Sequence, residues 1–233
     1  VGSGDGCDDA GTDAATKGST LSDGDERSRA AAVFDALGGE YEKAFGHSAA
    51  HRASLTWLLR QLDPGSRVLD VGSGTGRPTA ATLAAAGHDV LGIDVSPVMV
   101  DIAARQVPGA VFQRADVREF PLEDASFDAV CVYFALLQMS RQEQSAVVRR
   151  LARAVKPGGS VALATVPLDV QDVEGMFMGQ AVRVTSFAPA DFVGLAEGVG
   201  LTVVSQDRTM FTPAHPEATP EPQLFLHCRR DRA

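Results

Sequence analysis

Between residues 70 and 76 the chain reads Asp-Val-Gly-Ser-Gly-Thr-Gly, three glycines in five positions behind an aspartate, and Asp94 closes the next apolar run. Glycines so spaced leave bare backbone for a ligand to approach and permit the positive φ angles of a strand-to-helix turn. A tight turn alone needs one glycine or two, so three point to a ligand. A carboxylate at Asp94 can accept hydrogen bonds from a ribose diol, each charge-assisted bond contributing roughly 1.5–3 kcal/mol. Its alternative is an acid ahead of the helix that Ser96-Pro97 opens. A dinucleotide fingerprint, G-x-G-x-x-G, counted from Gly72 puts its third glycine at Arg77; the register fits D-x-G-x-G-x-G. His47 and His51 stand four apart, as on one helical face, but no acidic third ligand stands at a recognisable spacing, so we expect no metal and read a surface or lid-facing pair. His215, in a proline-rich stretch, is read as exposed or catalytic. Met176, Phe177 and Met178 with Val182 are read as an acceptor pocket lining or as core.

The elements that must position these groups follow from the periodicity. Residues 1–26 are Gly, Asp, Ser, Thr and Ala with almost nothing apolar, which predicts a disordered acidic leader. From Arg27 the pattern turns helical, with Leu55, Leu58, Leu59 and Leu62 at helical spacing, and two helices are expected before the first strand. Strands are expected over 67–71, 89–93, 110–114, 128–133 and 160–165, with helices over 79–86, 97–106 and 141–155 between them. Such alternation means a parallel, doubly wound sheet, which binds ligands at the carboxyl ends of its strands where strand order reverses. Residues 169–184 read as irregular and 189–198 as a helix. Two strands over 201–208 and 223–229 are joined by a linker with four prolines, too short for a crossover helix, so they should pair antiparallel.

At 233 residues the chain suits one domain over 27–233. No apolar run approaches the roughly 18 residues of a spanning helix. The amino-terminal stretch lacks the basic and apolar parts of a secretory signal, and the expectation is a cytoplasmic protein with no membrane partner. The formal net charge of −9 argues against broad binding to a phosphate backbone, so no nucleic-acid partner is expected. Cys7, Cys131 and Cys228 are odd in number and scattered, consistent with reduced thiols.

Through D-x-G-x-G-x-G, the acid Asp94, Ala115-Asp116-Val117, Ser126 to Val130 and Val155 to Gly159, the chain resembles the class I S-adenosylmethionine-dependent methyltransferases from about Arg27 onward. The resemblance implies a Rossmann-like, mostly parallel sheet of about seven strands, the last two antiparallel. It implies S-adenosyl-L-methionine as cofactor, with the glycine loop Gly72, Gly74 and Gly76 admitting its methionine part. Asp70 helps hold the amino group, Asp94 and Val95 lie at the ribose, Asp116 takes the adenine amino group beside Val117, and Tyr133 completes the surroundings. A neutral-to-cationic ligand also explains a loop that opens with a carboxylate, which would repel a pyrophosphate. The helices over 27–62 are expected as a lid, with Tyr41 closing over the cofactor, and residues 167–188 as an acceptor-site insert. Gln138 stands where the family often has a histidine, so Tyr41, His47 and Gln138 remain the candidates near the reacting atoms. The absence of a proline-flanked N/D-P-P-Y/F run after the fourth strand and of a basic, aromatic-interleaved appendage favours a small organic acceptor. A nicotinamide-dependent oxidoreductase and a protein that binds the cofactor without transferring methyl are the rival expectations.

Overall fold

A computed structural model describes residue 2 and residues 23–232, with side chains described from Arg29 onward. Most of the expected leader, residues 1 and 3–22, therefore lies outside the described residues, while residues 23–26 are helical rather than part of a disordered leader. Three helices, not two, precede the first strand: α1 (Asp23–Leu37), α2 (Gly39–Phe45) and α3 (Ala49–Leu59). Ser48 explains the extra break, since its side chain caps α3 by accepting from the His51 N–H at 3.2 Å. His47 thus lies outside α3, and the expected shared helical face with His51 does not exist.

Strands β1 (Arg67–Val71), β2 (Asp89–Asp94), β3 (Val111–Arg114), β4 (Phe127–Tyr133) and β5 (Val155–Thr165) alternate with helices α4 (Thr79–Ala85), α5 (Pro97–Gln106) and α6 (Arg141–Ala154) as expected. A hairpin follows, β6 (Val173–Phe177) and β7 (Gln180–Val184), then α7 (Pro189–Glu197), β8 (Leu201–Phe211) and β9 (Glu221–Arg230). The main sheet has seven strands in the order β3-β2-β1-β4-β5-β9-β8. The first five run parallel, and β9 enters antiparallel between β5 and β8. Strand order reverses between β1 and β4, which puts the carboxyl end of β1 and the chain after Tyr133 on the crevice.

Alternation along the strands divides the core. Leu69, Val130, Val132, Val161 and Leu163 face α6 and α7; Val68, Ala129, Cys131, Ala162 and Ala164 face α3 and α4. Small residues on the second face let Leu55 and Leu58 of α3 seat directly on the sheet, so α3 is a core helix. Helices α1 and α2 belong elsewhere: Val33 and Leu37 pack on Val182 of the hairpin, with Phe34, Tyr41 and Phe177 around them. The stretch expected to be irregular, 169–184, is that antiparallel hairpin, turning through Met178 (φ 48°) and Gly179 (φ 78°). Two positive φ angles in a two-residue loop match the twist of a β-hairpin, which is why the segment closes there.

Candidate active site

The glycine loop leaves β1 in the conformation its composition requires. The Gly72 N–H and Ser73 N–H both donate to the Ile93 carbonyl at the end of β2, at 2.8 and 3.1 Å. Gly72 has φ 67°, and a Cβ there would stand 2.4 Å from the Cβ of Ala135, so no other residue fits beside the chain leaving β4. Gly74, at φ 52°, faces no protein atom within reach of a Cβ and lies open to the cavity. Gly76 serves packing instead: a Cβ would press on Phe112, Val107 and Ala103, and the residue lines neither of the two spaces at the loop.

Asp94 holds this loop to the next strand. One carboxylate oxygen accepts from the Gly74 N–H and the other from the Ser96 N–H, both at 2.9 Å. The acid ahead of α5 is thus also a wall of the cavity. Burial raises its carboxyl above the ordinary range, opposed by these backbone donors. At the start of α5 the Ser96 hydroxyl caps the helix and donates to the Asp35 carboxylate at 2.5 Å, docking α1 beside the site.

Two connected spaces open at the switch point. The larger, about 440 Å³, runs from Gly72, Asp94 and Val95 past Val117 to an aromatic compartment under Phe34, Tyr41, Phe45 and Phe177. The smaller, about 50 Å³, is bounded by Asp70, Ser73, Thr75, His51 and Thr79 and shares Tyr41, Gly72, Gly74 and Tyr133 with the first. Asp70 Oδ2, Ser73 Oγ and Thr75 Oγ1 are buried there without a hydrogen-bond partner among the described residues. Burial, helped by the charge of Asp94, pushes Asp70 up to about 7. His51 donates or accepts at Thr79 Oγ1 (3.0 Å), meets the Tyr133 ring at a tilt with centroids 4.1 Å apart, and is held neutral by burial, which lowers it to about 4.

The roof is built from distant segments. Tyr41 stacks on Phe45 with ring centroids 4.9 Å apart and meets Phe34 edge-on at 5.8 Å, while Phe177 of the hairpin stacks on Phe45 at 5.7 Å. Burial and the nearby carboxylates Glu221 and Asp94 raise the Tyr41 phenol, so it is a hydrogen-bonding hydroxyl and not a base. Tyr133 is likewise held neutral, and its hydroxyl pairs with Ser54 Oγ at 2.9 Å, which pairs in turn with His227 Nε2. Phe134 turns out of β4 at φ 59°, a left-handed angle uncommon in a bulky residue, on the rim where the two spaces join.

The structure thus brings together Asp70, Gly72, Gly74, Asp94, Val95, Val117, Tyr133, Tyr41 and Gln138 around the two spaces. It does not bring Asp116 or His47 there. The Asp116 carboxylate is gripped by the Arg118 guanidinium (2.7 Å at the closest pair), and Arg118 also reaches Glu143, N3 of α6 and the acid of its capping box with Ser140. His47 is exposed and packs on Phe211 with centroids 4.8 Å apart. Leu168, Met176, Phe177 and Val182 of the insert line the cavity, whereas His215 does not. Sequence reasoning passed over Glu221 and Arg118 as cavity walls, and Ser73 and Thr75 as polar lining.

A seven-stranded doubly wound sheet with an antiparallel β9 between β5 and β8 and a D-x-G-x-G-x-G loop at the switch point defines the class I methyltransferase fold. Residues 68–159 match the methyltransferase domain family model. It is 32% identical over 140 residues to the demethylmenaquinone methyltransferase of Clavibacter sepedonicus, covering 57% of this chain and 56% of that protein. The chain spans about half the length of the curated relatives it matches. In fold it is similar to the 1,6-didemethyltoxoflavin-N1-methyltransferase of Burkholderia thailandensis, solved with bound 1,6-didemethyltoxoflavin and S-adenosylhomocysteine (TM-score 0.69, 20% identity, 91% of each chain). It is similar also to the [4+2]-cyclase SpnF (TM-score 0.67, 18% identity, 88% of this chain and 96% of that one). Among the described residues no helix is long and apolar enough to cross a membrane, and no cluster of three or more metal-ligating acids, histidines or cysteines occurs.

Proposed function

We propose that the protein is an S-adenosylmethionine-dependent methyltransferase acting on a small organic acceptor. The observation that carries this reading is the pairing of two kinds of space at one switch point: a small polar recess with three orphaned buried polar atoms, and an apolar aromatic cavity that opens from it. The recess fits the amino-acid end of S-adenosyl-L-methionine. The Asp70 carboxylate would take its ammonium, the Ser73 and Thr75 hydroxyls its polar oxygens, and the open backbone at Gly74 gives room for close approach. Asp94 would take the ribose hydroxyls while keeping its backbone donors, and Val95 and Val117 would flank the base.

When bound, the cofactor supplies an electrophilic methyl group on a cationic sulfur. What the chain must add is placement and dryness, since in-line displacement gains most from alignment and from exclusion of water. Phe34, Tyr41, Phe45 and Phe177 close the cavity above, and Gln138 and Tyr41 present neutral hydrogen-bonding groups to whatever enters. The Asp116 carboxylate, committed to Arg118, acts as a brace for the loop after β3, leaving the adenine to Val117 and its neighbours. Expected substrates are small, cavity-sized molecules, and no nucleic-acid surface is proposed.

A second reading is favoured by the likeness to SpnF: a catalyst on this scaffold that keeps the cofactor site without transferring methyl. Incubation with S-adenosylmethionine and a panel of phenols, amines and quinols separates the two. Formation of S-adenosylhomocysteine with a matching gain of one methyl in an acceptor supports methyl transfer. Tight cofactor binding with chemical change of an acceptor and no S-adenosylhomocysteine would support the second reading.

A further inference from the structure

The aromatic cavity has a charge pattern that nothing above assigns. Among the described residues lining it, three are charged: Asp94, Arg118 and Glu221. Arg118 is the cation of the three, and each of its nitrogens already bonds a carboxylate, Nε and one terminal nitrogen on Asp116 and the other on Glu143 at 2.7 Å, so its charge is matched by two acids. Asp94 belongs to the ribose end. Glu221 comes from a different element, at the first residue of β9 where the linker through Thr219 and Pro220 enters the cavity wall. Its Oε1 accepts from the Gln223 side chain at 2.9 Å, which restrains the side chain, and its partly buried carboxylate lines the same cavity as Tyr41, whose phenol its charge helps raise.

We infer that Glu221 selects the acceptor: the cavity takes a flat, largely apolar molecule whose polar end donates a hydrogen bond, as a phenolic hydroxyl or an ammonium does, and rejects one that ends in a carboxylate. The inference rests on the methyltransferase reading of the same site and specifies its substrate class. The reason is electrostatic. A carboxylate with one oxygen held by an amide and its surroundings apolar rewards a donor with a charge-assisted bond, whereas a second anion beside it is repelled and finds only a guanidinium whose charge Asp116 and Glu143 already match. The aromatic roof supplies the complementary face for a planar body.

The test uses three probes of one shape, 2-naphthol, 2-naphthylmethylamine and 2-naphthoate, titrated by fluorescence into the full chain saturated with S-adenosylhomocysteine. The expected result is that the naphthol and the amine bind at least about tenfold more tightly than the naphthoate, the equivalent of one charge-assisted bond. Glu221→Gln, nearly isosteric and able to keep the Gln223 contact, should narrow that gap to within about threefold while S-adenosylhomocysteine affinity, measured on the same variant, stays the same. Equal binding of the naphthoate by the natural chain, an unchanged gap in the variant, or no binding of any probe to the cofactor-loaded protein would overturn the inference and leave the methyltransferase reading standing. Failure of S-adenosylhomocysteine itself to bind would remove both.

Discussion

The floor and the roof of the cavity are made in opposite ways. Its floor comes from strand ends that are neighbours in the sheet: Asp70 to Thr75 at the end of β1, Asp94 and Val95 at the end of β2, and Tyr133 at the end of β4, tied by bonds from the Gly72 and Ser73 N–H groups to the Ile93 carbonyl and from the Gly74 N–H to the Asp94 carboxylate. The roof comes from α1, α2, the β6–β7 hairpin and the linker into β9, segments scattered from Ala30 to Pro222 and joined by rings and aliphatic side chains rather than by a hydrogen-bond ladder. Directional bonds fix a ligand's polar end, and ring stacking tolerates variation in shape. A cofactor shared by many enzymes therefore suits the floor, and an acceptor particular to one suits the roof.

If that division is right, substitutions in the floor should move cofactor affinity and substitutions in the roof should not. The largest effect is expected at Asp94→Ala, which removes the proposed ribose partner together with the acceptor of two backbone N–H groups. Affinity for S-adenosylhomocysteine, measured calorimetrically, should fall by roughly 3 kcal/mol, over 100-fold. Retained affinity would mean the floor does not hold the ribose.

Asp70→Asn comes next, at roughly 1.5–3 kcal/mol, and it carries a pH signature. The buried Asp70 carboxyl titrates near 7, well above its ordinary value. An ammonium placed beside it favours the ionised form, so binding between about pH 5 and 7 should release a proton and cofactor affinity should rise with pH toward 7. In the ligand-free protein the sign is the reverse for stability: the native state holds that proton more tightly than the unfolded chain, so stability is greatest below the ordinary carboxyl range and falls as pH rises through about 7. Asn at this position should flatten both slopes. Calorimetry in buffers of different ionisation enthalpy, and denaturant melts across the same pH range, read the two.

In the roof, Phe177→Ala removes one ring from the stack with Phe45 and its neighbours Phe34 and Tyr41. A loss of roughly 1–2 kcal/mol is expected, read as faster amide exchange in α1, α2 and the hairpin, with cofactor affinity unchanged. The smallest effect belongs to His47→Ala, a residue outside the cavity: under about 0.5 kcal/mol on stability and on cofactor binding alike. A large effect there would redraw the boundary of the site.

The same division decides what could be read from the chain. Asp70 through Gly76 is one contiguous stretch whose turn chemistry is local, and Asp94 is one strand further on, so spacing located the glycine loop and its acid, the resemblance added Val95 and Tyr133, and the alternation of strands located the sheet. The roof depends on contacts across more than a hundred residues, which no local period encodes. Phe34 against Phe177, and Tyr41 near Glu221, are such contacts. Two errors have nearer causes. The hairpin escaped because Met178, not the usual Asn or Asp, fills the first turn position beside Gly179. The His47–His51 face was drawn through Ser48, a helix cap whose type announced a boundary. Asp116 was placed correctly in the chain after β3, but the ion pair that commits its carboxylate depends on where Arg118 and α6 meet, and that is tertiary.

The central claim, that the floor holds S-adenosylmethionine, is tested most directly by titrating the protein in a calorimeter with S-adenosylhomocysteine and, separately, with NAD and NADP. One site for S-adenosylhomocysteine and no heat from either nicotinamide nucleotide is the predicted result. Binding of NAD or NADP with no response to S-adenosylhomocysteine would contradict the account.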